Sequence, residues 1–190
     1  MTIQLHKRST VLSALIGATF VGSTALAEFY RSEIAGELVQ GDAVVDGFSA
    51  IADWDGPEYN WTGFLEDAGA EIDFRQTSVR FDFYEPTGAG FVFTEDQYFW
   101  TFTDVNGTMD AFDSISVSGQ GSLVDWSQLE VGVLNDDQFY VDFGSLSGSP
   151  EQVIQDGNFV RLTMSFVPAP ASALALLGLG LGLGGRRRRA

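Results

Sequence analysis

The sequence predicts an all-β protein: one antiparallel β-sandwich or jelly-roll-like domain over residues 28–166, flanked by an N-terminal signal helix and a C-terminal hydrophobic helix. Two observations carry this. Runs of five to eight residues rich in Val, Ile, Thr and aromatic side chains recur through the middle of the chain, and such residues suit a pleated, half-buried surface. Between them stand clusters of Gly, Asp, Asn and Pro, and that region shows no long apolar repeat at the helical period.

The first element in chain order reads as a secretory leader. Residues 1–10 carry Lys7 and Arg8, residues 11–22 (VLSALIGATFVG) are an uncharged apolar run, and residues 23–27 (STALA) place small side chains at Ala25 and Ala27. A basic stretch, a short apolar stretch and a small-x-small site, in that order, are what a signal peptidase accepts. Twelve helical residues rise about 18 Å, well short of about 30 Å of hydrocarbon, so the segment is a leader and not a lasting span. Cleavage after Ala27 leaves Glu28 as the new terminus.

Residues 28–53 read as strand, although FYRSEIAGELV also suits a short helix. Residues 53–63 (DWDGPEYNWTG) have loop composition. Residues 70–84 follow as strand, and their second half, SVRFDFY, alternates apolar and polar side chains. Further strands are expected at residues 90–94 (GFVFT), 98–103 (YFWTFT), 114–118 (SISVS), 129–134 (LEVGVL), 138–143 (QFYVDF) and 159–166 (FVRLTMSF). Turns are expected at residues 85–90 (EPTGAG), 104–107 (DVNG), 118–121 (SGQG) and 134–137 (LNDD).

The last element is the most specific. Val167, Pro168, Ala169 and Pro170 precede ASALALLGLGLGLGG at 171–185, then Arg186, Arg187, Arg188 and Arg189. Residues 167–185 are 19 positions without a charge, enough to cross a bilayer as a helix, with the arginines left at the cytoplasmic face. Five glycines in the run each cost about 1 kcal/mol of helix propensity against Ala, so the span suits a temporary hold. A proline motif, a Leu/Ala/Gly-rich apolar helix and a terminal arginine cluster together resemble the PEP-CTERM sorting signal, with Ala169 where the family's glutamate usually stands. The resemblance covers about the last 24 residues. It implies a membrane-embedded exosortase that cuts near the proline motif, and a domain that is released or re-attached outside the cell.

Composition excludes several chemistries. Residues 28–166 hold all 26 acids of the chain but only four basic residues, Arg31, Arg75, Arg80 and Arg161, a formal net charge of −22. Such a surface repels nucleic acid and anionic lipid and attracts divalent cations or basic polymers. The chain has no cysteine, and its one histidine, His6, leaves with the leader. Ser-His-Asp and Cys-His catalysis and ordinary zinc sites are therefore closed to the mature domain. Its 139 residues suffice for one domain with a core of its own, even without disulfides.

Two constellations are weighed against plain turn and core chemistry. Asp104, Asn106, Asp110 and Asp113 surround a glycine turn and offer oxygen ligands for calcium, without the spacing of an EF-hand. Trp54 and Trp61, with Tyr59, offer rings on which a sugar could stack, or else side chains that cap the core. Carboxylate pairs for glycoside hydrolysis are too many in so acidic a domain to single one out. The sequons at Asn60 and Asn106 are read as chance matches. The sequence thus points to an exported surface or extracellular-matrix protein that is a processing substrate and no enzyme. The alternative is a carbohydrate-binding module, calcium-assisted. The expected partners are signal peptidase, an exosortase-like enzyme, the inner membrane in transit and extracellular polysaccharide, and no nucleic acid.

Overall fold

A computed structural model describes residues 29–53, 55–65, 68–94, 98–148 and 152–167. The expected leader, with Ala25 and Ala27, and the tail beyond Val167 lie outside the described residues, as does Trp54. Among those described, ten strands form two antiparallel sheets: β1 Glu33–Gln40, β2 Ala43–Ile51, β3 Tyr59–Leu65, β4 Ala68–Arg75, β5 Ser78–Tyr84, β6 Phe99–Asp104, β7 Ala111–Gln120, β8 Glu130–Asn135, β9 Gln138–Asp142 and β10 Phe159–Val167. One sheet has the order β2-β1-β6-β9-β8, the other β3-β4-β5-β10-β7. The all-β, antiparallel part of the expectation is thus what the molecule shows.

The alternating patterns translate directly into faces. Along β5, Val79, Phe81 and Phe83 are buried while Ser78, Arg80, Asp82 and Tyr84 are half-exposed. Along β6, Trp100 and Phe102 point inward between Phe99, Thr101 and Thr103. The inner faces meet in one aromatic core. Trp61 of β3 meets Trp100 of β6 edge-on at 5.2 Å, Phe74 of β4 meets Phe102 at 5.6 Å, and Phe112 of β7 meets Phe139 of β9 at 5.2 Å. Edge-on and offset pairs of this kind contribute about 0.5–1.5 kcal/mol each beyond the area they bury.

One local expectation is refined and three are corrected. Within the stretch read as strand, residues 33–51 form a hairpin, β1 and β2, turning at residues 41–42, where Gly41 takes φ 59°. Residues 59–63, expected in a loop, belong to strand β3, because the backbone of Tyr59, Asn60, Trp61 and Thr62 pairs with Ile72, Glu71, Ala70 and Gly69. Residues 90–94 make no strand; Phe91 forms an isolated bridge to Ile154, and Gly90 at φ 73° breaks the extended run. SGQG at 118–121 is no turn for most of its length, since β7 stays paired with β10 as far as Gln120. At residues 59–63 and 118–120 cross-strand pairing overrides local composition.

The registers fix two ends for the domain. β10 finishes where Val167 faces Ala111 at the start of β7, and Thr163 faces Ser78 at the start of β5. The β6–β7 connection and the β8–β9 turn lie at this same end: Asp104 N–H donates to Asp137 O and Phe112 N–H to Asp136 O, at 2.9 and 3.0 Å. So does the start of the described chain, for Phe29 N–H donates to Gln76 O at 2.9 Å and Arg31 N–H to Ala52 O at 2.7 Å. This terminal pole holds residues 29–33, 52–58, 76–77, 105–110 and 136–137. The opposite, distal pole carries the turn at 41–42 and the long connections after β5, β7 and β9.

Candidate functional site

The strand that leads to the proline motif is held on both sides. β10 lies between β5 and β7, and its ladder with β7 continues through Phe166↔Phe112 to Val167↔Ala111. A bulge between Ser165 and Phe166 turns the Phe166 ring onto Phe112 at 5.4 Å and Phe29 at 6.1 Å. Val167, 49 % exposed, is the last described residue, is paired with Ala111, and is the first of the predicted motif. Pro168, Ala169, Pro170 and Arg186–Arg189 lie outside the described residues. Among the described residues no helix is long and apolar enough to cross a membrane.

Phe29 closes the same end from the other terminus. It is fully buried and its ring meets Phe74 at 5.3 Å, Phe112 at 6.2 Å and Phe139 at 6.2 Å. Sequence reasoning missed this plug, since one Phe two residues after the predicted cleavage point has no periodic neighbours to mark it. A tight turn follows, in which Ser32 N–H donates to Phe29 O at 2.8 Å and Arg31 takes φ 67°, a conformation glycine adopts more easily. The Arg31 guanidinium stands 5.1 Å from the Tyr30 ring.

Three of the four calcium candidates are turned to separate partners, and the fourth, Asp110, is half-buried in the β6–β7 connection. Asp104 is 4 % exposed and its Oδ2 accepts from Met109 N–H at 2.8 Å, so it pins the β6–β7 connection as an ordinary turn carboxylate does. Asn106 donates through Nδ2 to Glu33 Oε2 at 3.0 Å, and Asp113 Oδ2, on β7, accepts from the Ser165 hydroxyl at 3.2 Å. Among the described residues no three acidic side chains are grouped so as to hold a metal.

Trp61 is a correction. It is 1 % exposed, beside Phe93 at 6.4 Å, Tyr98 at 5.8 Å and Phe143 at 5.8 Å. Its side chain points inward from β3, so it offers no ring face to a sugar. The loop composition of its surroundings concealed the strand that buries it.

The β2–β3 connection is organised by Glu58, which sequence reasoning did not single out. Its carboxylate accepts from Asp53 N–H at 2.9 Å and Phe74 N–H at 2.7 Å. Burial pushes its pKa up, against the lowering effect of those two bonds. Nearby, Tyr30, Asp53, Gly56, Asp73, Phe74, Arg75 and Gln76 line a cleft of about 140 Å³, smaller than the roughly 300 Å³ at which ligand pockets begin. Within it, Arg75 pairs with Asp73 at 2.6 Å. On the outer face of the second sheet Arg80 and Arg161 face each other across β5 and β10; Arg80 pairs with Asp82 and covers the Phe159 ring at 4.1 Å.

No protein-family model, curated protein or solved structure matches the chain.

Proposed function

We propose that the chain is an exported surface or extracellular-matrix protein whose two sheets form a β-sandwich, sorted and processed through a C-terminal signal of the PEP-CTERM kind. The leader at 1–27 delivers it across the inner membrane. Residues 171–185 hold it there, Arg186–Arg189 stop transfer, and an exosortase-like enzyme cuts within Val167–Pro170. The chain is the substrate in this reading and does no chemistry of its own, in keeping with a mature sequence without Cys or His.

One observation carries the reading beyond the motif itself. The β10 ladder is described as far as Val167, which is also the first residue of the proline motif, so the folded strand and the motif share a residue. Prolines cannot extend a central strand, because each removes a ladder donor. A motif with prolines at 168 and 170 therefore suits the unpaired, extended segment that a processing enzyme needs.

Intact-mass measurement of the protein from its native host, comparing membrane and extracellular fractions, tests this. The expected extracellular species begins at Glu28 and ends between Val167 and Pro170. Protein found in membranes alone, with Arg186–Arg189 still attached, would overturn processing and leave the tail a plain anchor.

A further inference from the structure

We infer that the terminal pole of the domain is a lipid-facing surface in the full-length chain, held against the bilayer by its own tail, and that the distal pole faces away. The inference rests on the proposed reading of residues 171–185 as a membrane segment. It adds which surface that segment brings to the lipid.

The argument begins with reach. At most three residues, 168–170, separate the last described ladder rung from the run at 171–185. At 3.3–3.6 Å per residue they span at most about 10 Å. Strands of eight to ten residues place the two poles roughly 30 Å apart. A linker of that length cannot let the domain turn over, so the end from which β10 leaves must be the end near the lipid.

The N-terminal side agrees independently. Phe29 is fixed at the same pole by its hydrogen bond to Gln76 and by its burial against Phe166. Before cleavage, the apolar run at 11–22 would also reach the domain there, with residues 23–28 as its only spacer. Two membrane-seeking segments leaving from opposite poles would strain one tether or the other; here both leave from one.

The pole's surface fits close contact without insertion. Tyr30, Ile51, Val105, Leu134 and Val167 are exposed there, beside the cations Arg31 and Arg75. The acids Asp53, Asp55, Asp110, Asp113, Asp136 and Asp137 stand among them, so charge alone does not draw this end to anionic lipid. Proximity comes from the tether, which fixes a high effective concentration of lipid at this pole only.

The chain lacks cysteine, so single-cysteine labelling tests the inference directly. Gln76→Cys and Asp136→Cys probe the terminal pole, and Asp42→Cys and Ser122→Cys the distal pole; all four positions are exposed. Each variant, produced as residues 28–190 so that the tail is its one long apolar run, carries a fluorophore and is reconstituted into phosphatidylcholine vesicles with a headgroup nitroxide quencher, and flotation is measured in parallel. The expected result is flotation of all four, with fluorescence lost at 76 and 136 and retained at 42 and 122. Flotation with equal quenching at both poles would overturn the orientation while leaving the membrane tail standing. Protein that fails to float would overturn the tail reading, and the orientation with it.

Discussion

At the scale of single residues, the domain is an aromatic core with two side chains whose positions matter beyond packing. Phe29 is the second residue of the predicted mature chain and yet is fully buried. Its ring bridges both sheets, against Phe74 on one and Phe139 on the other, and covers Phe166 where β10 ends. Phe29→Ala removes that bridge and leaves a cavity, so it is expected to cost about 3–5 kcal/mol in urea denaturation of the leader-free protein. Phe29→Leu, which keeps most of the volume, should cost less than about 1.5 kcal/mol. A loss below about 1 kcal/mol for the alanine variant would mean that the terminus frays and that Phe29 does not hold the pole. Trp61→Ala is expected to lose a similar 3–5 kcal/mol, because its indole is enclosed by Trp100, Phe93 and Phe143. Polysaccharide retention that fell in proportion to Trp61 loss, with stability unchanged, would contradict its burial.

At the scale of elements, the two sheets differ in how their edges are covered. β7 and β8 lie side by side, closing one flank. On the other, Phe48 of β2 stacks on Tyr59 of β3 at 4.5 Å, and the Tyr59 hydroxyl donates to Asp46 Oδ1 at 2.8 Å. Burial, then the Asp46 carboxylate, push that hydroxyl's pKa up to about 12, so it remains a donor throughout the physiological range. Beyond the stack, β2 is an edge strand with Val44 59 % and Val45 50 % exposed, and a bulge in its pairing with β1. A bulge is one natural guard against edge-to-edge pairing, and a lysine is another. Val45→Lys should raise the concentration at which light scattering detects association while changing stability by less than about 0.5 kcal/mol. Unchanged scattering would show that the bulge already protects the edge. These elements also show what was legible in the sequence. SVRFDFY and FVRLTMSF announced β5 and β10 because their alternation survives into the buried face. β3 was hidden because Gly56 and Pro57 stand beside Tyr59, so a turn signal masked pairing supplied from β4. The proline motif is a reading of covalent order alone, and from Pro168 on it lies outside the described residues. Asp104 and Trp61 were misleading because a carboxylate or an indole reads the same whether it meets a ligand or its own neighbours, and burial decides which.

At the scale of the whole molecule, charge sets the response to pH and salt. Residues 28–166, at a formal −22, repel one another at neutral pH, and protonation relieves this as pH falls. Glu58 acts in the same direction. Burial holds its folded pKa above the ordinary 4.5, so its contribution is fully present below that value and is lost as pH rises through the raised one. Glu85 acts oppositely. The Thr87 hydroxyl, first, and the backbone N–H groups of Gly90 and Thr87 hold its carboxylate below the ordinary 4.5, so its stabilisation is present above that value and is lost as pH falls through its lowered pKa. Asp125 adds to that acid limb, bonded by the Ser127 hydroxyl and the Gln128 amide. The urea midpoint is therefore expected to rise from neutral pH to about 5 and to fall again on further acidification. High salt separates the two sources of the neutral limb. In 1 M NaCl the Debye length is about 3 Å, which screens exposed acids but reaches the half-buried Glu58 poorly. The slope that persists in salt should then belong to Glu58 and should vanish in Glu58→Gln. A persistent slope of equal size in both proteins would assign it to some other group, and the β2–β3 connection would then be held by its hydrogen bonds without sensing pH.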